Sequence, residues 1–208
     1  MSLEQLMQDA SLWRGREVSP RLQRVLPSGY PEFDAILPGG GWPVGGLIEL
    51  LTGHRGIGAL RLLMPALARL SQERRWLAWI APPYLPYAPA LASSGVDLSH
   101  MLLVHPRSHA DTLWAAEQAL RSGTCGAVLG WLEDLAPRVL RRLQLAAESG
   151  DSLGVLFRSE RAVSQASPAA LRLRLVPEGE GWLNLEIVKS RGSWPAAPLR
   201  LPIGAPDV

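Results

Sequence analysis

The sequence predicts an α/β fold: a mainly parallel central sheet flanked by helices and closed by an antiparallel edge. Three observations lead there. From residue 47 onward, short apolar runs alternate with amphipathic stretches, the pattern of strands joined by covering helices. Two late apolar runs, 171–176 and 183–188, read as an antiparallel pair. Apolar residues make up 47% of the 208-residue chain and charged ones 19%, which is material for a real core and no compositional sign of disorder.

The first 28 residues read as an extension. Leu3, Leu6 and Met7 have helical spacing, and a polar stretch around Pro20 carries Arg14, Arg16, Arg21 and Arg24. Glycine and proline cluster over residues 37–46, a turn-rich segment. Residues 47–51 form a buried strand, followed by a glycine-rich turn and an amphipathic helix over 59–70, in which Pro65 implies a kink or a late start. A strand at 76–81, a proline-rich connection at 82–89, a short helix at 87–94 and a strand at 101–104 come next. The helix at 111–122 puts Leu113, Ala116 and Leu120 on one face and stops at Gly123. A strand at 125–130 leads to a helix over 137–148 with Pro137 near its first turn and Gly150 ending it, then to a strand at 153–157. The expected organisation is one folded unit over 29–190, the extension over 1–28, and a basic, proline-rich tail over 191–208.

Composition also excludes classes. No run approaches about eighteen uninterrupted apolar residues, and residues 1–16 lack the regions of a secretory signal, so a cytoplasmic chain without membrane contact is expected. Cys125 is the one cysteine, which excludes an internal disulfide or a multi-cysteine zinc site. His54, His100, His105 and His109 make no ligand constellation, so neither metal nor cofactor is expected. The net charge of +2 does not demand a polyanionic partner. Among 21 basic residues Lys189 is the single lysine, so any site needing a lysine must use it or go without.

The glycine-rich turn holds Gly53, Gly56 and Gly58 between a strand and a helix, the context of a phosphate-binding loop. Such a loop needs a lysine and then a serine or threonine after its last glycine. Ala59 and Leu60 stand there, and neither supplies a charge or a metal ligand. The turn reads either as a relic with residual anion binding through its amides, or as a tight strand-to-helix connection that needs glycine for backbone reasons alone.

The stretch from Val25 through Ser28, Gly29, Asp34 and the glycines at 39–41 to Gly45, together with Gly95, Val96 and Asp97, resembles the RecA-like P-loop NTPases. That resemblance implies a catalytic glutamate at the position of Pro83 and a metal-side carboxylate at Gly130 or Trp131, so it implies a pseudo-ATPase with degenerate Walker A and Walker B elements. Two degenerate families fit this pattern. Segments 74–79, 126–134 and 154–158 resemble the SulA cell-division inhibitors, which bind the tubulin-like division protein. Segments 12–16, 37–43, 81–91, 111–121 and 140–148 resemble the ImuA proteins, accessories of mutagenic translesion synthesis, and the chain is identified as a member of that second family. The ImuA resemblance implies a non-catalytic, SOS-induced DNA-repair adaptor, nucleoid-associated during the damage response. It would bind the inactive Y-family polymerase ImuB, work indirectly with an error-prone C-family polymerase, and have RecA as a further partner.

Other residues carry paired readings. Trp42 and Trp131 either fill an apolar pseudo-site or offer a partner an exposed aromatic. Tyr84 and Tyr87, among four prolines, form either a recognition surface or a rigid loop. Arg138, Arg141 and Arg142 line the polar face of their helix, solvated or in contact with phosphate. Arg158, Arg161, Arg172 and Arg174 surround a polar segment where recombinases carry a DNA-binding loop, which leaves direct DNA contact open. Arg191 and Trp194 are candidates for partner binding in the tail, with a frayed terminus as the alternative.

Overall fold

The computed structural model describes residues 24–54, 56, 58–191 and 197–204. The helical, arginine-bearing stretch expected before Arg24 lies outside them. Strand β1 (Val25–Leu26) pairs antiparallel with β2 (Trp42–Pro43), and the short helix α1 (Pro31–Asp34) lies between them. The chain continues through β3 (Gly46–Thr52), α2 (Met64–Gln72), β4 (Trp76–Ile80), α3 (Ala88–Ser93) and β5 (Met101–Val104). Then come α4 (His109–Arg121), β6 (Cys125–Trp131), α5 (Pro137–Gly150), β7 (Leu153–Ser159), β8 (Leu171–Pro177), β9 (Trp182–Ser190) and β10 (Leu199–Pro202).

Eight strands make one sheet in the order β10-β9-β8-β3-β7-β6-β4-β5. The six from β8 to β5 are parallel, and β9 runs antiparallel to both β8 and β10. The expected sheet and its antiparallel edge are therefore present. The apolar runs follow from this placement, since β3, β6 and β7 are covered on both faces. One face packs Ile48, Leu50, Trp79 and Val155 against Phe33 of α1 and Leu67 of α2. The other packs Leu47, Ala78, Val128 and Leu156 against Ala116 and Leu120 of α4 and Leu140 and Leu143 of α5.

Local chemistry sets the helix ends. Pro65 is the second residue of α2, where its missing N–H leaves no intrahelical bond unmade, so the helix starts late instead of kinking. A 3-10 turn at Arg61–Leu63 precedes it. Ser108, with extended backbone, caps α4 by accepting the Asp111 N–H at 3.1 Å. Ser108→Ala is expected to cost about 1 kcal/mol. The melting temperature should fall by about 2–4 °C, and an unchanged transition would show the cap to be idle.

Two expectations need correction. Gly150 is the last residue of α5 and not its stop; Asp151 ends the helix in the left-handed region at φ 47°. The glycine is required for a different reason, because a Cβ on Gly150 would lie 2.0 Å from the Leu120 carbonyl oxygen of α4. Likewise the segment expected as a tail contributes β10, whose Leu199–Pro202 pair with β9, so part of it belongs to the sheet.

Candidate functional site

Parallel strands open a crevice at their carboxyl ends. Here it is a cleft of about 1710 Å³. Its floor is aromatic: Trp131 at the end of β6 stacks on Phe157 of β7 with ring centres 4.6 Å apart and planes 5° apart. Trp79 of β4 leans on Trp131 at 5.6 Å. The rim is the proline-rich connection after β4, where Tyr84, Leu85 and Tyr87 are 69%, 78% and 72% exposed. Ala81 and Asp134, just beyond β4 and β6, adopt left-handed backbone at φ 52° and 49°. Such conformations disfavour side-chain-bearing residues and persist only where packing holds them. Both line the cleft, so its rim loops leave the sheet through strained corners.

The glycine turn forms another wall. Gly56 and Gly58 have positive φ, 74° and 86°, which only glycine adopts freely. Gly58 lies beneath the chain after β10, since a Cβ there would be 2.1 Å from Ile203 Cδ1. A Cβ on Gly53 would be 2.8 Å from a Glu160 carboxylate oxygen, so an incoming anion would meet that acid. Ala59 and Leu60 are half-buried and pack against the core. The Arg61 guanidinium donates to the Gly204 carbonyl at 2.9 Å, tethering the same segment, while Arg55 lies outside the described residues. Tyr30 also borders the cleft, and burial raises its phenol above the ordinary range against the opposing pull of Arg61. Pro83 is exposed on the rim and Gly130 is buried in β6. Among the described residues no group of three or more His, Cys, Asp or Glu side chains is placed to hold a metal ion.

The arginines divide into different roles. Of the nucleic-acid candidates, Arg158 and Arg172 are not available, because both are buried against Glu49 of β3. Arg158 Nη1 donates to Glu49 Oε1 at 3.1 Å, and Arg172 Nε donates to Oε2 at 2.6 Å. The rest of the Arg172 guanidinium donates to the carbonyls of Ala162, Val163 and Gln165. The polar segment between β7 and β8 is thus clasped onto the sheet. Ser167 adds a hydrogen bond to Glu49 and accepts Lys189 Nζ on its carbonyl. Burial first, then Arg191 and Arg172, lower the Lys189 ammonium below its ordinary range, with Glu49 opposing. Arg174 is likewise engaged, by Glu160 and Glu186.

Arg161 is exposed at the cleft. Arg138, Arg141 and Arg142 are exposed on α5, and Arg142 pairs with Glu117 of α4. Trp42 is fully buried edge-on to Phe33 at 5.1 Å, so of the two tryptophans only Trp131 meets the cleft. Arg191 is exposed and lies 3.6 Å from Glu148, near the opposite ends of the strands from Tyr84 and Tyr87. Trp194 lies outside the described residues. Sequence reasoning missed Leu85, Phe157 and Glu160. Leu85 sits between the two tyrosines and was legible as part of the same exposed run, whereas the positions of Phe157 and Glu160 depend on strand order.

Fold and cleft define a mainly parallel α/β protein that presents aromatic and apolar side chains at its strand ends. Residues 48–154 match the family model described as "Cell division inhibitor SulA". The cell division inhibitor SulA of Serratia marcescens is 35% identical over 57% of this chain and 71% of its own length. That of Klebsiella aerogenes is 38% identical over 50% of this chain and 62% of its own. A crystal structure of SulA from Pseudomonas aeruginosa shares 32% identity and a TM-score of 0.45, covering 54% of this chain and 97% of that one. The chain belongs to the SulA family.

These relatives overturn the ImuA assignment and the translesion-synthesis role it implied. ImuB, the C-family polymerase and RecA lose their support as partners with it. The family description is that of an inhibitor and not of an enzyme. No helix among the described residues is long and apolar enough to cross a membrane.

Proposed function

We propose that this chain is a non-catalytic cell-division inhibitor that acts by binding the tubulin-like division protein. The observation that carries it is the match over residues 48–154 to proteins named as division inhibitors. We read the fold as a RecA-like P-loop domain that has lost its chemistry. In favour are the glycine turn between β3 and α2, Ala59 and Leu60 after its last glycine, and Glu160 set against Gly53. Residues 29–190 carry that domain in this reading, with 1–28 and 191–208 as its flanks, and an SOS-induced setting, first expected with the ImuA role, goes with the division-inhibitor relatives instead.

Docking falls to the cleft rim. Tyr84, Leu85 and Tyr87 stand out from a proline-stiffened loop, so little backbone freedom is lost when they are covered. The double variant Tyr84→Ala/Tyr87→Ala should weaken binding to the division protein by roughly tenfold or more. Its unfolding transition should not change, since both rings are exposed. Unchanged affinity in a direct titration would place the docking surface elsewhere.

A further inference from the structure

The cleft at the strand ends sets two kinds of surface side by side, aromatic rings and unspent carboxylates. Trp131 and Phe157, stacked on each other, are both partly exposed and both line it. Just past Trp131 the chain places Glu133 and Asp134, exposed on the same wall. Most other charges of the cleft are engaged. Arg158 is bound to Glu49, Glu160 to Arg174, and the Arg61 guanidinium to the Gly204 carbonyl. Glu133 and Asp134 enter no ion pair or side-chain hydrogen bond among the described residues.

Arg161 borders the small recess that holds these two carboxylates, exposed and outside any ion pair among the described residues. Its guanidinium covers no ring of the cleft, since the stacked cation among the described residues is Arg200 over Trp182. One more group is unmet. The Trp79 indole N–H lies in the floor, its ring 2% exposed, without an acceptor among the described residues. A buried donor without a partner calls for one from outside, and a docking peptide segment brings backbone carbonyls.

Rings and carboxylates together select a cation with a flat face. An aromatic ring attracts a cation over its face, and carboxylates take paired N–H donors. A guanidinium satisfies both at once, whereas an ammonium is compact, more strongly hydrated and has no face to stack. We propose that the cleft is the receptor for an arginine side chain carried by the division protein, held against Trp131 and Phe157 and paired with Glu133 and Asp134. The partner's identity rests on the division-inhibitor reading, and the arginine pocket on the geometry of the cleft. In the free chain Arg161 competes for the same carboxylates, but the incoming arginine also gains the rings.

Glu133→Gln/Asp134→Asn keeps the shape of the wall, and asparagine tolerates the left-handed backbone at position 134. Titrated with the division protein, this variant should bind roughly tenfold more weakly than wild type. Arg161→Ala, which removes the competitor, should bind as tightly as wild type or more so. A second measurement needs no division protein. N-acetyl-arginine amide at millimolar concentration should shift the Trp131 indole N–H resonance of the whole chain. N-acetyl-norleucine amide should not, and the carboxamide variant should lose the response. If wild type fails to bind the division protein, the division-inhibitor reading falls and the arginine amide still decides the pocket. Wild-type affinity in the carboxamide variant, weaker binding by Arg161→Ala, or a Trp131 resonance that arginine amide leaves in place would each overturn the proposal.

Discussion

Glu49→Ala is expected to destabilise the protein by about 3–5 kcal/mol, among the largest effects of any single substitution. Glu49 is fully buried in β3 and is the carboxylate partner of two arginines that are themselves out of solvent. Removing it leaves the guanidinium groups of Arg158 and Arg172 as buried charges without a counter-ion, and the Ser167 hydroxyl without its acceptor. The effect should spread beyond the strand, because Arg172 also holds the carbonyls of Ala162, Val163 and Gln165. Urea unfolding should show a much lower midpoint, and the segment between β7 and β8 should become the first site of proteolysis. A loss below about 1 kcal/mol would mean that the cluster is solvated and does not clasp that segment.

Gly150→Ala tests the packing of α4 on α5 with a sign that local propensity gets wrong. Inside a helix, alanine is favoured over glycine by about 1 kcal/mol, so propensity forecasts a more stable protein. The geometry forecasts the reverse. A Cβ at this position would lie 2.0 Å from the Leu120 carbonyl oxygen and 3.0 Å from the Arg121 carbonyl carbon, both backbone atoms that cannot rotate away. The two helices would have to separate, loosening Leu120, Leu140 and Leu143 at the same time. A net loss of about 2–3 kcal/mol is expected for alanine, and more for valine. Thermal unfolding that moves upward for Gly150→Ala would refute the close approach.

Legibility in the sequence followed the range of the interactions. Strands β3, β6 and β7 announce themselves because parallel strands covered on both faces must be apolar throughout, and helices α4 and α5 because their faces alternate at the helical period. β10 was hidden: Leu199–Pro202 is short, contains a proline and exists only because β9 offers an edge. Gly150 looked like a helix stop because its true constraint, the Leu120 carbonyl, comes from another helix. The arginines stay ambiguous in the sequence for the same reason. Arg158 and Arg172 lie 109 and 123 residues from Glu49 in sequence, and nothing local tells a buried ion pair from a nucleic-acid contact.

The functional site divides along the same line. The absence of a lysine and a hydroxyl after Gly58 is plain from Ala59 and Leu60, whereas the sequence leaves Tyr84 and Tyr87 open between a recognition surface and a rigid loop. The aromatic floor needed strand order, since Trp131 and Phe157 meet only because β6 neighbours β7. Family assignment turned on which segments were weighed. Segments 12–16 and 37–43 lie outside the matched stretch, whereas the proline-tyrosine run 81–91, which also favours ImuA, lies inside it together with the SulA-like segments 74–79 and 126–134.

Division inhibition is the central claim, and pelleting of the assembled division protein tests it most directly. The tubulin-like protein is polymerised with its nucleotide, with and without this chain, and the pellet is weighed against the supernatant. Addition of the chain at molar parity should move most of the polymer into the supernatant, and Tyr84→Ala/Tyr87→Ala should restore the pellet. An undiminished pellet at several-fold excess of a folded chain would contradict the claim.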